Sequence, residues 1–145
     1  MGSVGHFAAA AFQLKAGKES QRAYANDEQA AYEQAELASI QADQEAINRT
    51  AQLNNQLAAI SASSAGGGIA IGSSSLANIK RRENQLASQD KSAIKFMGAT
   101  TRRNYQLSGK ASKNKGKAAM YSAYAGATKS ATEGVNAMGK KGGSP

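Results

Sequence analysis

Few side chains in this sequence are of the types that carry catalysis. The single histidine, His6, has no second histidine to relay a proton, and a lone histidine is more often a structural or surface residue. Two carboxylate pairs lie close together along the chain, Glu33 with Glu36 and Asp43 with Glu45. On a polar helix such pairs are usually solvated. The absence of cysteine and of a histidine cluster excludes the common zinc sites and thiol nucleophiles.

Two glycine-containing segments resemble catalytic motifs only in part. The run Gly66, Gly67 and Gly68 lacks the Lys-Ser/Thr that completes a phosphate-binding loop. The segment that starts at Gly72 begins as a nucleophile elbow would, but Leu76 stands where the second glycine belongs. No histidine follows to act as a base. We therefore expect no enzymatic activity, no cofactor, no metal and no small-molecule substrate.

The composition predicts an all-α chain with little core. Of the 145 residues, 31 are alanine, which is more than half of the hydrophobic 41%, and the only proline is the last residue. β-branched residues are few and do not alternate, which disfavours strands. Alanine removes little surface from water, so burial barely offsets the cost of ordering the backbone. We expect either partial disorder in the isolated chain or, as we favour, stabilisation by oligomerisation.

The order of segments predicts a long helical hairpin. Residues 1–63 are rich in Ala, Gln, Glu and Leu, and we expect one long helix with a weak point at Gly17. Residues 64–75 form a Gly/Ser turn, whose glycines end the first helix and whose serines cap the second. Residues 76–108 are predicted as the second helix. Residues 109–145 are predicted as a basic, glycine-interrupted tail, flexible or with a short helix. The turn glycines are Gly66, Gly67, Gly68 and Gly72.

Apolar residues recur in the second helix at alternating steps of three and four. This heptad spacing predicts a seam for packing against other copies of the chain. Its proposed members are Leu76, Ile79, Leu86, Ala93, Met97 and Leu107. Glu83 and Asp90 interrupt the seam, either as solvated edges or as partners for basic residues of a neighbouring chain.

Charge is distributed unevenly along the chain, whose net charge is +8. Residues 1–78 hold four basic and seven acidic residues, whereas residues 79–145 hold fourteen basic and three acidic ones. Such asymmetry indicates that the basic half binds a negatively charged partner, either the phosphate backbone of a nucleic acid or acidic surfaces of protein neighbours. No motif for sequence-specific DNA recognition is present. The clustered cations are Lys80, Arg81, Arg82, Arg102, Arg103, Lys110, Lys113, Lys115 and Lys117.

The weakly polar segment from Val4 to Phe12 is too short to span a bilayer as a helix. Two interpretations remain open for it. It forms the first turns of a helix packed on a neighbour, or an amphipathic tip that touches a membrane through Phe7 and Phe12.

The order of these features resembles one family, the small internal virion proteins, or ejection proteins, of short-tailed bacteriophages. The resemblance covers roughly residues 20–130 and depends on four features. They are an Ala/Gln/Glu-rich first helix, a Gly-Ser-Ser turn that opens a helix starting Leu76-Ala-Asn-Ile79-Lys80-Arg81, a later Arg102-Arg103-Asn104-Tyr105-Gln106 step, and the small-residue segment 118–130.

The resemblance implies a structural role. Family members are packaged at the portal inside the capsid, leave before the genome, and help to form a DNA conduit through the host envelope. The implied partners are further copies of the chain in a ring, the portal, other internal virion proteins, genomic DNA, and the host outer membrane after ejection. Two alternatives are a portal or head–tail adaptor that stays in the particle and a basic, non-sequence-specific packaging protein that binds DNA.

Overall fold

The chain folds into two long α-helices. The computed structural model describes residues 2–67 and 73–139, and the side chains from Val4 onward. Helix α1 spans Gly2–Gly66 and helix α2 spans Ser74–Gly139. Gly67 and Ser73 are the two described residues outside a helix, and the described residues contain no strand. The all-α prediction is confirmed.

The ends of the helices at the turn are held by hydrogen bonds from the predicted residue types. The Gly67 amide donates to the Ser63 carbonyl oxygen at 3.0 Å and continues the hydrogen-bond pattern of α1 for one residue. At the start of α2, the Ser73 hydroxyl accepts from the Leu76 amide at 3.4 Å, which is an N-cap. The helices extend slightly further than predicted, to 66 instead of 63 and from 74 instead of 76. The predicted turn residues Gly68 and Gly72 lie outside the described residues.

The predicted break after residue 108 is wrong for residues 109–139. Helix α2 continues through the whole of the glycine- and lysine-rich stretch to Gly139. Helix α1 likewise runs without a break through Gly17. The physical reason is that these glycines lie against the other helix, where close contact between the backbones compensates for their low helix propensity.

The chain forms two compact units, each built from one piece of α1 and one piece of α2. Unit 1 contains residues 2–33 and 106–139, and unit 2 contains residues 34–67 and 73–105. In unit 2 the two pieces run antiparallel and are joined by the turn, so unit 2 is a helical hairpin. In unit 1 the pieces are also antiparallel, because Gly134 faces His6 whereas Gly116 faces Tyr24.

The contact line of unit 2 repeats every eleven residues. Its buried positions include Ala42, Leu53 and Ser64 on α1, and Leu76 and Ala87 on α2; Gly98 continues the α2 series against Ala42. An eleven-residue repeat corresponds to about 3.67 residues per turn, close to the 3.6 of a straight helix. A heptad repeat averages 3.5 residues per turn and drifts away from this line. The heptad seam therefore leaves the contact line after Leu76.

The buried part of each helix pair is thin. Among the described residues nine apolar side chains are buried, and seven of the nine are alanines; Leu53 and Leu76 are the larger two. No side chain larger than these is buried in the described residues. Small side chains let two helices approach closely, but each contact removes little apolar surface from water.

Candidate functional site

Glycines of both helices lie at close contacts between α1 and α2 in unit 1. A Cβ atom built on Gly116 would lie 3.1 Å from the Tyr24 Cβ, and one on Gly109 would lie 3.3 Å from the Glu28 carbonyl oxygen. From the other side, a Cβ on Gly17 of α1 would overlap the Ala123 side chain. These glycines were predicted as breaks or flexible links, and the structure uses them as points of close approach.

The predicted basic clusters divide between the two units. Unit 2 carries Lys80, Arg81 and Arg82 near the start of α2, and Arg102 and Arg103 near residue 105. Lys80 is half-buried, whereas the four arginines are exposed. Unit 1 carries the four exposed lysines Lys110, Lys113, Lys115 and Lys117.

One flank of unit 1 collects cations from both helices. A shallow groove of about 170 Å³ is lined by Gln21 and Ala25 of α1 and by Lys113 and Lys117 of α2, together with Tyr24, Glu28 and Gly116. On α1, Lys18 and Arg22 precede Gln21 and Ala25 by three positions each, so they lie beside these two groove residues, on the side away from α2. On α2, Lys110 precedes Lys113 by three positions. We call Lys18, Arg22, Lys110 and Lys117 the basic flank.

The four residues of the basic flank are exposed and have no carboxylate oxygen within 4.0 Å in the described part of the chain. Lys113 differs, because its Nζ donates to the Glu28 Oε1 at 3.1 Å. The sequence-based prediction missed Lys18 and Arg22, which lie in the more acidic half of the chain. The sequence feature that could have indicated them is that Lys18 and Arg22 are four residues apart, as Gln21 and Ala25 are.

A groove on unit 2 is lined by charges of both signs. Asp43, Ile47 and Thr50 of α1 face Lys91, Ser92 and Lys95 of α2 across an open space of about 590 Å³, with Ala46 at its base. A second, smaller groove of about 220 Å³ is lined by Gln41, Glu45, Ile94 and Met97 beside the contact of Gly98 with Ala42. Both grooves are open to solvent along the helix pair, and neither forms an enclosed cavity.

The two acidic residues predicted to interrupt the seam have different environments. Asp90 accepts from Arg49 within the chain, with 2.7 Å between the Arg49 Nη2 and the Asp90 Oδ2 and 2.8 Å from Nε. Glu83 is half-buried near the contact line. Asp90 therefore pairs with a basic residue of α1 in the same chain, which is neither a solvated edge nor a contact with a neighbouring chain.

The predicted oligomer seam diverges from the intrachain contact. Leu76 is buried between α1 and α2, whereas Ile79, Leu86 and Met97 expose between two-fifths and two-thirds of their surface. Ala93 and Leu107 are exposed as well. On α1 of unit 2, Leu37, Ile40 and Ile47 are also exposed. The large apolar side chains of unit 2 are thus mostly turned outward, and alanine and glycine are turned inward.

The catalytic candidates are not brought together. The His6 Nδ1 lies 3.7 Å from the Glu133 Oε2 on the surface of unit 1. The side chains of Glu33, Glu36, Asp43 and Glu45 are exposed. Within residues 2–67 and 73–139, no three His, Asp or Glu side chains are placed to hold a metal ion together.

The described part of each helix lacks a segment both long and apolar enough to cross a membrane.

Comparison of the chain with protein-family models, with curated protein sequences and with solved structures finds no significant match.

Proposed function

We propose that this chain is a structural virion protein that acts as a helical assembly. In this proposal it is an internal protein of a short-tailed phage, packaged near the portal and ejected with the genome to help form a DNA conduit through the host envelope. The assignment to this class comes from the resemblance of the turn and of the Arg102–Gln106 step.

One observation supports a role in an assembly: small side chains are buried between the two helices of unit 2, and large apolar side chains are exposed on its surface. The intrachain contact is made by alanines and glycines, while Leu37, Ile40, Leu86 and Met97 are exposed on unit 2. Contiguous exposed apolar patches mark surfaces that bind other proteins, and in this proposal these side chains contribute to such surfaces. A pair of helices with a thin core gains stability when such surfaces are covered by neighbouring copies.

The proposal is tested by comparing full particles with particles triggered to release their DNA. Quantitative mass spectrometry measures the amount of the protein relative to the capsid protein in both. We expect the protein to be lost from emptied particles. Retention at full stoichiometry would contradict ejection and would favour the adaptor function at the portal or head–tail junction.

A liposome experiment separates ejection from passive loss. The ejected protein is expected to bind vesicles made from outer-membrane lipid extract as an oligomer, because it must assemble at the host envelope. The capsid protein from the same sample is the control for nonspecific adsorption. Loss from particles without any vesicle association would leave a role inside the capsid as the better description.

A further inference from the structure

We infer that the basic flank of unit 1 binds the phosphodiester backbone of double-stranded DNA. The flank combines Lys117, which lines the groove between the helices, with Lys18, Arg22 and Lys110, which helical spacing places next to the residues of that groove. This inference goes beyond the proposed function and does not depend on ejection. It also differs from the sequence-based clusters, because half of the surface comes from the helix in the acidic half of the chain.

The flank cations form no ion pair with the described acids of unit 1. Lys113 pairs with Glu28, and the other described acids of unit 1 with an ion pair are Glu19, beside Lys15, and Glu133, beside His6. The four flank cations have no such partner in the part of the chain that the structure describes. They remain free to replace the counterions condensed on a polyanion, which is the main source of affinity for duplex DNA.

The cations of the flank lie at short intervals along two helices that contact each other. Lys18 and Arg22 are four residues apart, about 6 Å along the helix axis, and Lys110 and Lys117 are seven residues apart, about 10 Å. The two helices are held in close contact by Gly116 against Tyr24. The cations are therefore mounted on two adjacent rigid helices and lose little conformational freedom of the backbone on binding.

The side chains between the cations favour a nucleic acid over an anionic bilayer. Gln21 lines the groove between the helices, and Ala25 is the apolar residue beside it. A surface that inserts into the acyl region of a bilayer presents large apolar side chains beside its cations, whereas Gln21 and Ala25 stand beside Lys18 and Arg22. Amide groups instead donate hydrogen bonds to phosphate and sugar oxygens. The exposed Tyr121, one turn beyond Lys117, adds a polar aromatic edge to the flank.

The experiment measures binding of the full chain to a fluorescein-labelled 30-base-pair duplex by anisotropy, at several salt concentrations. Four phosphate contacts predict a slope of log K against log salt of about −3.6, which is about a 150-fold loss of affinity between 50 and 200 mM salt. Lys18→Gln/Arg22→Gln is expected to make the slope shallower by about 2, as is Lys110→Gln/Lys117→Gln.

The matched control is Lys115→Gln/Lys129→Gln, which removes the same charge from exposed positions of α2 on the face of Glu133. We expect its slope to equal that of the unchanged chain. Equal losses in all three double variants, or no loss in Lys18→Gln/Arg22→Gln, would overturn the assignment to this flank. Binding to phosphatidylglycerol vesicles without binding to the duplex would overturn the choice of DNA. Far-UV circular dichroism establishes that each variant keeps its helix content.

The particle experiment and the duplex experiment fail independently. A chain that leaves the particle but has no affinity for the duplex contradicts this inference alone. A chain that binds the duplex through the flank but stays in emptied particles contradicts the proposed ejection alone.

Discussion

Gly98 of α2 packs against Ala42 of α1 so closely that a Cβ atom on the glycine would overlap the alanine methyl group. Both residues belong to the eleven-residue contact line of unit 2. At this point the backbones of the two helices are as near as the side chains allow. Glycine has a poor helix propensity, but at position 98 no larger residue fits without moving the helices of unit 2 apart.

We predict that Gly98→Ala destabilises the chain although it replaces glycine by the best helix former. The gain in helix propensity is about 1 kcal/mol, whereas forcing an extra methyl group into a packed contact costs about 1–3 kcal/mol. Thermal unfolding followed by circular dichroism measures the balance, which we expect to be a lower Tm. The control Gly5→Ala has nothing within 4 Å of the new Cβ and is expected to leave the Tm unchanged or raise it.

Exchanging the two residues tests the same contact by rescue. In Ala42→Gly/Gly98→Ala the number of methyl groups at the contact is unchanged, so the overlap disappears. We expect the double variant to recover most of the Tm lost by Gly98→Ala. Additive losses in the two single changes would show that space between these two residues is not the cause.

Ser73 is expected to contribute to the stability of α2 through its hydroxyl. Replacing an N-cap serine by alanine typically costs about 1 kcal/mol, because an amide of the first turn loses its acceptor. Here that amide belongs to Leu76. Urea unfolding of Ser73→Ala measures the loss. Ser75→Ala, an exposed serine two residues further along, should change the free energy of unfolding by only a few tenths of a kcal/mol.

The ion pair between Arg49 and Asp90 is predicted to couple the two helices of unit 2. The Arg49 side chain is 24% exposed and the Asp90 side chain 50%, so solvent screens the pair substantially. A double-mutant cycle with Arg49→Gln and Asp90→Asn should give about 0.5–1 kcal/mol of coupling. This coupling should shrink in 1 M NaCl.

The pair Lys15 with Glu19 provides the comparison for that cycle. It spans one turn of α1 at 4.0 Å, and both side chains are more than 60% exposed. The corresponding cycle should give a smaller coupling, at most about 0.5 kcal/mol. Equal coupling in the two cycles would mean that Arg49 and Asp90 do not hold the helices together.

The outward-facing part of the predicted seam is expected to mediate self-association. Light scattering after size-exclusion chromatography should give a mass above the monomer for the unchanged chain. Leu86→Gln/Met97→Gln removes two exposed apolar side chains of unit 2 and should lower that mass. Phe96→Gln removes one apolar side chain at a position that is 73% exposed and outside the heptad spacing, and it should leave the mass unchanged. A monomeric unchanged chain, or the same mass in all variants, would contradict the seam.

Composition and turn chemistry were sufficient to predict the helical class and the position of the turn. The stretches rich in alanine, glutamine and glutamate form helices as expected, and Ser73 caps α2 as its residue type indicates. These features are local, because they depend on residues within one turn of each other. They do not depend on where the other helix lies.

The features that were missed depend on contacts between the helices. Gly109 and Gly116 are poor helix formers in isolation, and only their contact with Glu28 and Tyr24 explains why α2 continues through them. The heptad pattern predicted contacts through large apolar residues that repeat every seven positions. The contact line of unit 2 is instead formed mainly by small residues that repeat every eleven positions. Lys18 and Arg22 did not stand out in the sequence because the lysines on the other side of the groove, Lys113 and Lys117, lie about ninety residues away along the chain.

The close approach of α1 and α2 places an upper limit on side-chain volume at every third or fourth position. Ser64 and Ser130 are buried there beside the alanines, and the Ser64 hydroxyl donates to the Ile60 carbonyl oxygen of its own helix, so a small hydroxyl side chain fits where an alanine would. A hydropathy profile does not detect this limit on side-chain volume, because alanine, glycine and serine differ little in size but are scored by their polarity. Relatives of this protein should share a rhythm of small residues while their hydrophobic residues differ, and a search that scores volume at eleven-residue intervals is suited to finding them.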